Sequence, residues 1–311
     1  MALTFAEAAK LAVNQYEYDK AAVLTSFAES SPLMRNMVIE TIPGQVYYWV
    51  REDTLPTVGF RSVNEAFAAS TGSFERKNVA LKYAGGDMDI DVVLTRNTPN
   101  GDEVRARHQM LKSKSLGQHL ASKLINGDSS VDAEEFDGLA TLLDTAITGD
   151  ARIVQHPTAN SSALSCKYLD QLLDAVDSNL GTKALIMTKA MRRNLTSFLR
   201  SSQSISTDRD AFGMQVMTYG GALILEADEN GGPATISEDA TGLESIYCVA
   251  LGESGWKIVE SQAGLSVRNL GERTDTPAER IRVDWTIAPV DESKRCIARL
   301  FNVSNTATAV A

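Results

Sequence analysis

Three histidines, a run of alternating aspartates and one acidic stretch are the residues whose spacing could do chemistry. His108 and His119 stand eleven apart in a segment with helical periodicity. Eleven residues make about three turns, so both rings share a face but lie roughly 16 Å apart, too far to hold one metal. His156 is remote from both in sequence. Asp87, Asp89 and Asp91 alternate with Met88, Ile90 and Val92, which puts three carboxylates on one face of a strand. Same-face neighbours sit about 6.6 Å apart along a strand, so the three do not clasp a single ion. A solvated acidic face, or one paired with basic residues of a neighbouring chain, is the expected role. Asp128, Asp132, Glu134, Glu135 and Asp137 lack the D-x-[DN]-x-[DN]-G order of a calcium loop and read as solvated loop. There is no G-x-S-x-G, no G-x-x-x-x-G-K-[ST] and no strand-linked G-x-G-x-x-G. The expectation is a protein with no catalytic residue, no cofactor and no resident metal.

Bulk properties narrow the class further. The chain has 311 residues, 43% of them hydrophobic, which suffices for a large core. Its net charge of -10 argues against a nucleic-acid-binding domain. Cys166, Cys248 and Cys296 are single and scattered, which fits neither a disulfide framework nor a zinc site and suits a reducing cytoplasm. No apolar run approaches the roughly 20 residues of a membrane span, and no secretory signal opens the chain.

The elements that would position these residues alternate between helix and strand. Thr4 to Glu7 forms a T-x-x-E capping box before an Ala-rich helix. A second helix is expected around residues 20–28, broken at Ser30-Ser31-Pro32. Residues 1–43 hold too little apolar surface for a core of their own and read as an arm that lies on something. Val46 to Val50 is β-branched and aromatic, a strand. Leu55 to Gly59 reads as the tip of a long hairpin, and Phe60 to Phe67 as its return. The hairpin carries Tyr47, Trp49, Phe60 and Phe67, apolar surface that wants a partner. Phe74 to Tyr83 and Met88 to Thr95 read as strands, and Asn97 to Gly101 as a loop. A helix of about 25 residues follows from the cap Asp102 to Asn126, stopped by Gly127. Residues 128–162 read as loop with a short helix near Phe136 to Leu143.

Leu169, Leu172, Leu173, Val176 and Leu180 predict an amphipathic helix ended by Gly181. Ala184 to Met187 predicts a strand, and Thr188 caps a helix with the stripe Met191, Leu195, Phe198 and Leu199. Residues 201–211 read as loop. Beyond Met214 strands dominate, at Val216–Tyr219, Ala222–Glu226, Ile246–Leu251, Ile258–Glu260 and Ser266–Leu270, with loops at Asp228–Ala240 and Gly271–Glu279. Arg280–Ala288 and Lys294–Val303 are expected to form a final hairpin.

This order and its local wording resemble the major capsid proteins of tailed phages, the family with the Hong Kong 97-like fold. Ile42-Pro43-Gly44 closes an arm. Arg51-Glu52-Asp53-Thr54-Leu55-Pro56 stands at a hairpin tip, and Phe60-Arg61-Ser62-Val63-Asn64-Glu65 on its return. Met88-Asp89-Ile90-Asp91 precedes the long helix, Ile125-Asn126-Gly127-Asp128 ends it, and Phe136-Asp137-Gly138-Leu139 follows. Tyr168 to Asp174, Ala184 to Met187, Met191 to Leu199 and Gly213 to Val216 match the succeeding block.

The resemblance implies an α+β Hong Kong 97-like capsid fold. Residues 1–43 would be the N-terminal arm and 44–73 an extended loop lying across a neighbour. Residues 74–162 and 264–303 would form the peripheral domain with a spine helix near 102–126, residues 163–263 the axial domain, and 304–311 a tail. The expected contacts between subunits are Tyr47, Trp49, Arg51, Leu55, Phe60, Arg61 and Phe67, and Trp49→Asp is expected to block shell closure while leaving the subunit soluble. The implied partners are copies of the chain as pentamers and hexamers, with a separate scaffolding protein, a portal and decoration proteins, and nonspecific proximity to packaged DNA. The implied location is the virion, after assembly in the host cytoplasm. Some members weld their shells with a lysine–asparagine isopeptide bond. Here no lysine lies between Gly44 and Ser73, and no asparagine between Gly271 and Glu279. Arg51 and Arg61 cannot supply the amine, so no such cross-link is expected. A cargo-packaging nanocompartment of the same fold and a soluble two-domain enzyme with an acidic site are the alternatives.

Overall fold

A computed structural model describes residues 2–14, 22–26, 31–96, 101–144, 150–156, 163–201, 206–209, 215–227, 236 and 243–304. The loops expected at 97–100 and over most of 228–240, and the tail after Ser304, lie outside these residues.

The chain opens with β1 (Ala2–Thr4) and α1 (Phe5–Asn14). The capping box forms: Thr4 N donates to Glu7 Oε2 at 2.9 Å, and Glu7 N to Thr4 Oγ1 at 3.4 Å. After a helical turn at 22–26 come α2 (Pro32–Asn36) and β2 (Val38–Ile42). The segment expected to lie as an arm is packed on its own chain. Phe5, Leu33, Met34 and Met37 are fully buried, and Phe5 meets Trp285 edge-on at 5.9 Å.

Then β3 (Val46–Thr54) and β4 (Ser73–Ala80) pair antiparallel as a separate two-stranded ribbon. The return strand is therefore Ser73–Ala80, not Phe60–Phe67. Residues 55–72 connect the two without strand pairing. Their Ser, Ala, Asn and Gly content offers no alternating face to hold a ladder. Asn64, at a φ of 71°, turns the chain in their middle.

β5 (Lys82–Asp91) runs along β14 (Ala278–Asp291), the longest strand, from Lys82 opposite Ile287 to Asp91 opposite Ala278. The strand expected to reach Thr95 stops at Asp91, whose Oδ1 accepts from Val93 N at 2.8 Å and starts the short helix α3 (Val92–Arg96). A side-chain cap here outcompetes continuation of the ladder. α4 (Gly101–Asn126) follows, about 39 Å long at helical rise. Gly127 N donates to Lys123 O at 2.8 Å, the expected stop. α5 (Leu139–Leu142) and β6 (Ile153–Gln155) complete this part.

The next layer holds α6 (Cys166–Asp174), β7 (Thr182–Met187), α7 (Lys189–Ser201), β8 (Ser206–Arg209), β9 (Gln215–Tyr219), β10 (Ala222–Glu226) and β11 (Leu243–Leu251). α6 ends at Asp174 rather than at Gly181. A 3-10 turn at Ser178–Leu180 and Gly181, at a φ of 152°, reverse the chain into β7. Thr188 caps α7, its Oγ1 accepting from Met191 N at 3.2 Å. The polar stretch read as loop contains β8, which pairs only with β9 at the sheet edge. All nine residues of β11 are buried, as for a strand covered on both faces.

β12 (Trp256–Ser261), β13 (Ser266–Glu272), β14 and β15 (Ile297–Ser304) close the fold. β13 runs through Gly271 and Glu272, so the expected loop shrinks to residues 273–277. β14 and β15 do not form the expected hairpin. β14 pairs with β5, β12 and β13, whereas β15 pairs with β11 and β6. The short link between them crosses from one part of the sheet to the other. One contiguous core runs beneath both, from Leu116 and Leu120 of α4 through Trp285 to β7 and β11.

Candidate assembly interface

The carboxylates of the alternating strand are spent within the chain. Register places Asp89 opposite Arg280 and Asp87 opposite Arg282. Arg280 Nε donates to Asp89 Oδ1 at 2.7 Å, Arg273 Nη1 to Asp89 Oδ2 at 2.7 Å, and Arg282 Nε to Asp87 Oδ1 at 2.6 Å. These bonds hold both aspartates below the ordinary carboxylate range. The basic partners expected from a neighbouring chain are thus supplied by β14 and the turn before it. His108 and His119 both lie exposed on α4, and His156 is buried against Tyr168 at 4.7 Å.

The ribbon β3–β4 divides into a root and a tip with opposite surroundings. At the root, Tyr47, Trp49 and Arg51 alternate onto one face, and that face meets the molecule's own body. Trp49 is 9% exposed and packs with Ile42, Leu81, Val259, Ala288 and Val290. Tyr47 stacks on Trp49 at 5.7 Å, and its hydroxyl donates to Glu292 Oε1 at 3.3 Å. Arg51 bridges Glu75 at 2.8 Å and Asp291 at 3.0 Å. The hydrogen bonds from Lys77 and Arg51 lower the Glu75 carboxyl to about 2. Burial pushes Asp291 the other way, and Arg51 only partly offsets it. Beneath them Lys257, almost wholly buried, pairs with Glu40 at 2.6 Å and with Glu292. Burial alone would lower its amine, but its hydrogen bonds to Glu292 and Glu40 hold it above the ordinary lysine value. Tyr47, Trp49 and Arg51 were expected to touch another subunit. Within the chain their side chains hold the ribbon to β12 and β14.

The tip is the reverse. Leu55 is 78% exposed, Val58 92%, Val63 87% and Phe67 65%, and Phe60 is fully exposed. The segment nevertheless has internal order. Arg61 lies 5.1 Å over the Phe67 ring, its Nη1 donates to Glu65 O at 3.1 Å, and Ser62 N donates to Glu65 Oε2 at 3.1 Å. Ser70 Oγ donates to Thr57 O at 2.8 Å across the loop. Leu55, Phe60, Arg61 and Phe67 are thus exposed on one loop, which also exposes Val58 and Val63. The outward face of the ribbon adds Tyr48, Val50 and Phe74, all more than half exposed. Strand alternation marks that face once the β4 register is known, but the wrong return strand hid it.

The family Major capsid protein GP7 matches residues 17–165, which span the ribbon and all of α4. The fold has the Hong Kong 97-like architecture of solved structures that cover most of the chain. The capsid asymmetric unit of cyanophage A-1(L) superposes with a TM-score of 0.64 at 13% identity, covering 86% of this chain and 90% of that one. The holo-SrpI encapsulin complex from Synechococcus elongatus gives 0.65 at 15%, over 90% and 89%. Mycobacterium phage Bobi gives 0.60 at 11%, over 87% and 90%. No curated protein matches the sequence. At these identities the superpositions speak for the fold alone.

Proposed function

We propose that the chain is the major capsid protein of a tailed double-stranded DNA phage, a subunit that assembles into the icosahedral head and does not catalyse turnover. The observation that carries the reading is the free hairpin tip. Its large apolar side chains stand exposed on their own chain, a surface that a partner would cover. The tip is the surface laid on a second copy, while the root anchors it. Such contacts, repeated around every subunit as pentamers and hexamers, close a shell although each is weak. A separate scaffolding protein, a portal and decoration proteins are the further partners of this reading. Packaged DNA is met without sequence preference, since a chain of net charge -10 repels phosphate overall. The shell is held without lysine–asparagine cross-links.

The resemblance to an encapsulin favours a second reading, a cargo-packaging nanocompartment. The fold does not separate the two; the sequence match to a phage capsid family favours the first. Electron microscopy of the purified chain tests both. Closed shells are expected, and only small finite oligomers under all assembly conditions would contradict them. Shells from infected cells filled with DNA rather than a protein cargo decide for the phage.

A further inference from the structure

A cleft of about 210 Å³ lies between the C-terminal half of α4, the start of β5 and the loop of residues 128–136. Its floor is apolar, made by Leu116, Leu120 and Phe136. Its rim carries Tyr83, 72% exposed, and the carboxylates of Asp132 and Glu134. Among the described residues no cation pairs with either carboxylate. The two lysines at the cleft are already engaged: Lys123 with Glu135, and Lys82 with Ala133 O at 2.5 Å.

The hairpin tip has the complementary chemistry. Arg61 has no carboxylate partner among the described residues; its guanidinium is turned to the Phe67 ring and to the carbonyls of Ser62 and Glu65. Phe60, beside it, is fully exposed. We propose, on the reading that the tip docks on a second copy, that Phe60 seats in this cleft of the neighbouring copy and Arg61 meets Asp132 and Glu134 at its rim. An aromatic side chain suits an apolar floor, and the planar fork of a guanidinium suits a pair of carboxylates better than an ammonium would. Phe60 stands exposed on its own chain, and the cleft proposed for it is that of a second copy. For a chain of net charge -10, copies repel at long range. A local plus-to-minus contact then sets the register in which they can meet.

The test is charge exchange in the full chain, read as shell yield by sedimentation and electron microscopy. Arg61→Glu and Glu134→Arg are each expected to lower the yield by at least about tenfold, the effect of losing one interfacial charge pair. The double variant Arg61→Glu/Glu134→Arg is expected to return it to within about twofold of wild type. Thermal melts of the unassembled variants confirm that each is folded, and Glu134→Gln, which keeps the side-chain length, is expected to lower the yield less than Glu134→Arg. An Arg61→Glu chain that assembles like wild type, or a double variant no better than the single ones, overturns the assignment. Phe60→Asp separates the two levels. If it blocks shells while charge exchange fails to restore them, the tip is the interface but this cleft is not its seat. If it assembles normally, the hairpin reading itself falls.

Discussion

Trp49 and Phe60 are aromatic residues of one ribbon, and their energetics are opposed. Trp49 is buried in a cluster of six apolar side chains at the root. Trp49→Ala is expected to destabilise the unassembled chain by about 3 kcal/mol, the usual cost of emptying such a site. Phe60 is fully exposed, so Phe60→Asp is expected to shift stability by less than about 0.5 kcal/mol. Urea unfolding of both variants checks the contrast, and it replaces the expectation that Trp49→Asp would spare the subunit. Acid acts on the ionised residues. Glu75, Asp87 and Asp89 have folded carboxyls below their ordinary values of 4.5 and 3.8. Their contribution to stability is complete above the unfolded value and is lost as pH falls, for Glu75 between 4.5 and about 2. Asp291, raised by burial, works in the opposite sense and favours the folded state at low pH. Glu7, Asp128, Asp150 and Asp275 are also held below their ordinary values, so seven lowered carboxyls stand against Asp291 and stability of the unassembled chain is expected to fall below about pH 4.5. The fall should be shallower in Arg273→Ala/Arg280→Ala, which frees Asp89. Identical pH profiles for the two proteins would contradict the ladder.

At the scale of elements, close backbone approach decides what patterning cannot. Gly127 ends α4 and Gly138 precedes α5, and the two meet through Gly138 N donating to Gly127 O at 2.9 Å. A Cβ on Gly138 would stand 2.7 Å from Gly127 N, Ile125 O and Lys123 O, all rigid backbone. Gly138→Val is expected to cost about 2–3 kcal/mol by overpacking, measured as a lowered urea midpoint. Gly127 was legible as a helix stop, but its partner eleven residues on was not, because only the fold brings them together. Elements with a clear local signal were read well: α4 from its stop at Gly127, β7 from the apolar run Ala184 to Met187, α7 from its cap Thr188 and apolar stripe. Elements settled by long-range pairing were not. The return of the ribbon depends on Phe74 to Val79 finding Tyr47 to Glu52 across the loop of residues 55–72. The fate of β15 depends on β11, not on its sequence neighbour β14. The candidate interface was half legible for the same reason. Alternation put Tyr47, Trp49 and Arg51 on one face, but whether that face meets its own chain or another is decided by β12 and β14.

At the scale of the whole molecule, we propose that one anchored, outward-reaching ribbon on each subunit is repeated by symmetry into a shell. No lysine stands on the ribbon loop to form an isopeptide bond. Assembled shells boiled in denaturant are therefore expected to run as one band of subunit mass on electrophoresis, and a ladder of covalent multimers would contradict this. Shell formation should also depend on salt, because copies of net charge -10 repel one another and screening weakens that repulsion. The most direct measurement compares wild type and Phe60→Asp side by side in analytical ultracentrifugation under assembling conditions. The expected result is fast-sedimenting closed shells for the wild type and only folded subunits or small oligomers for the variant. Normal shells from Phe60→Asp would contradict it.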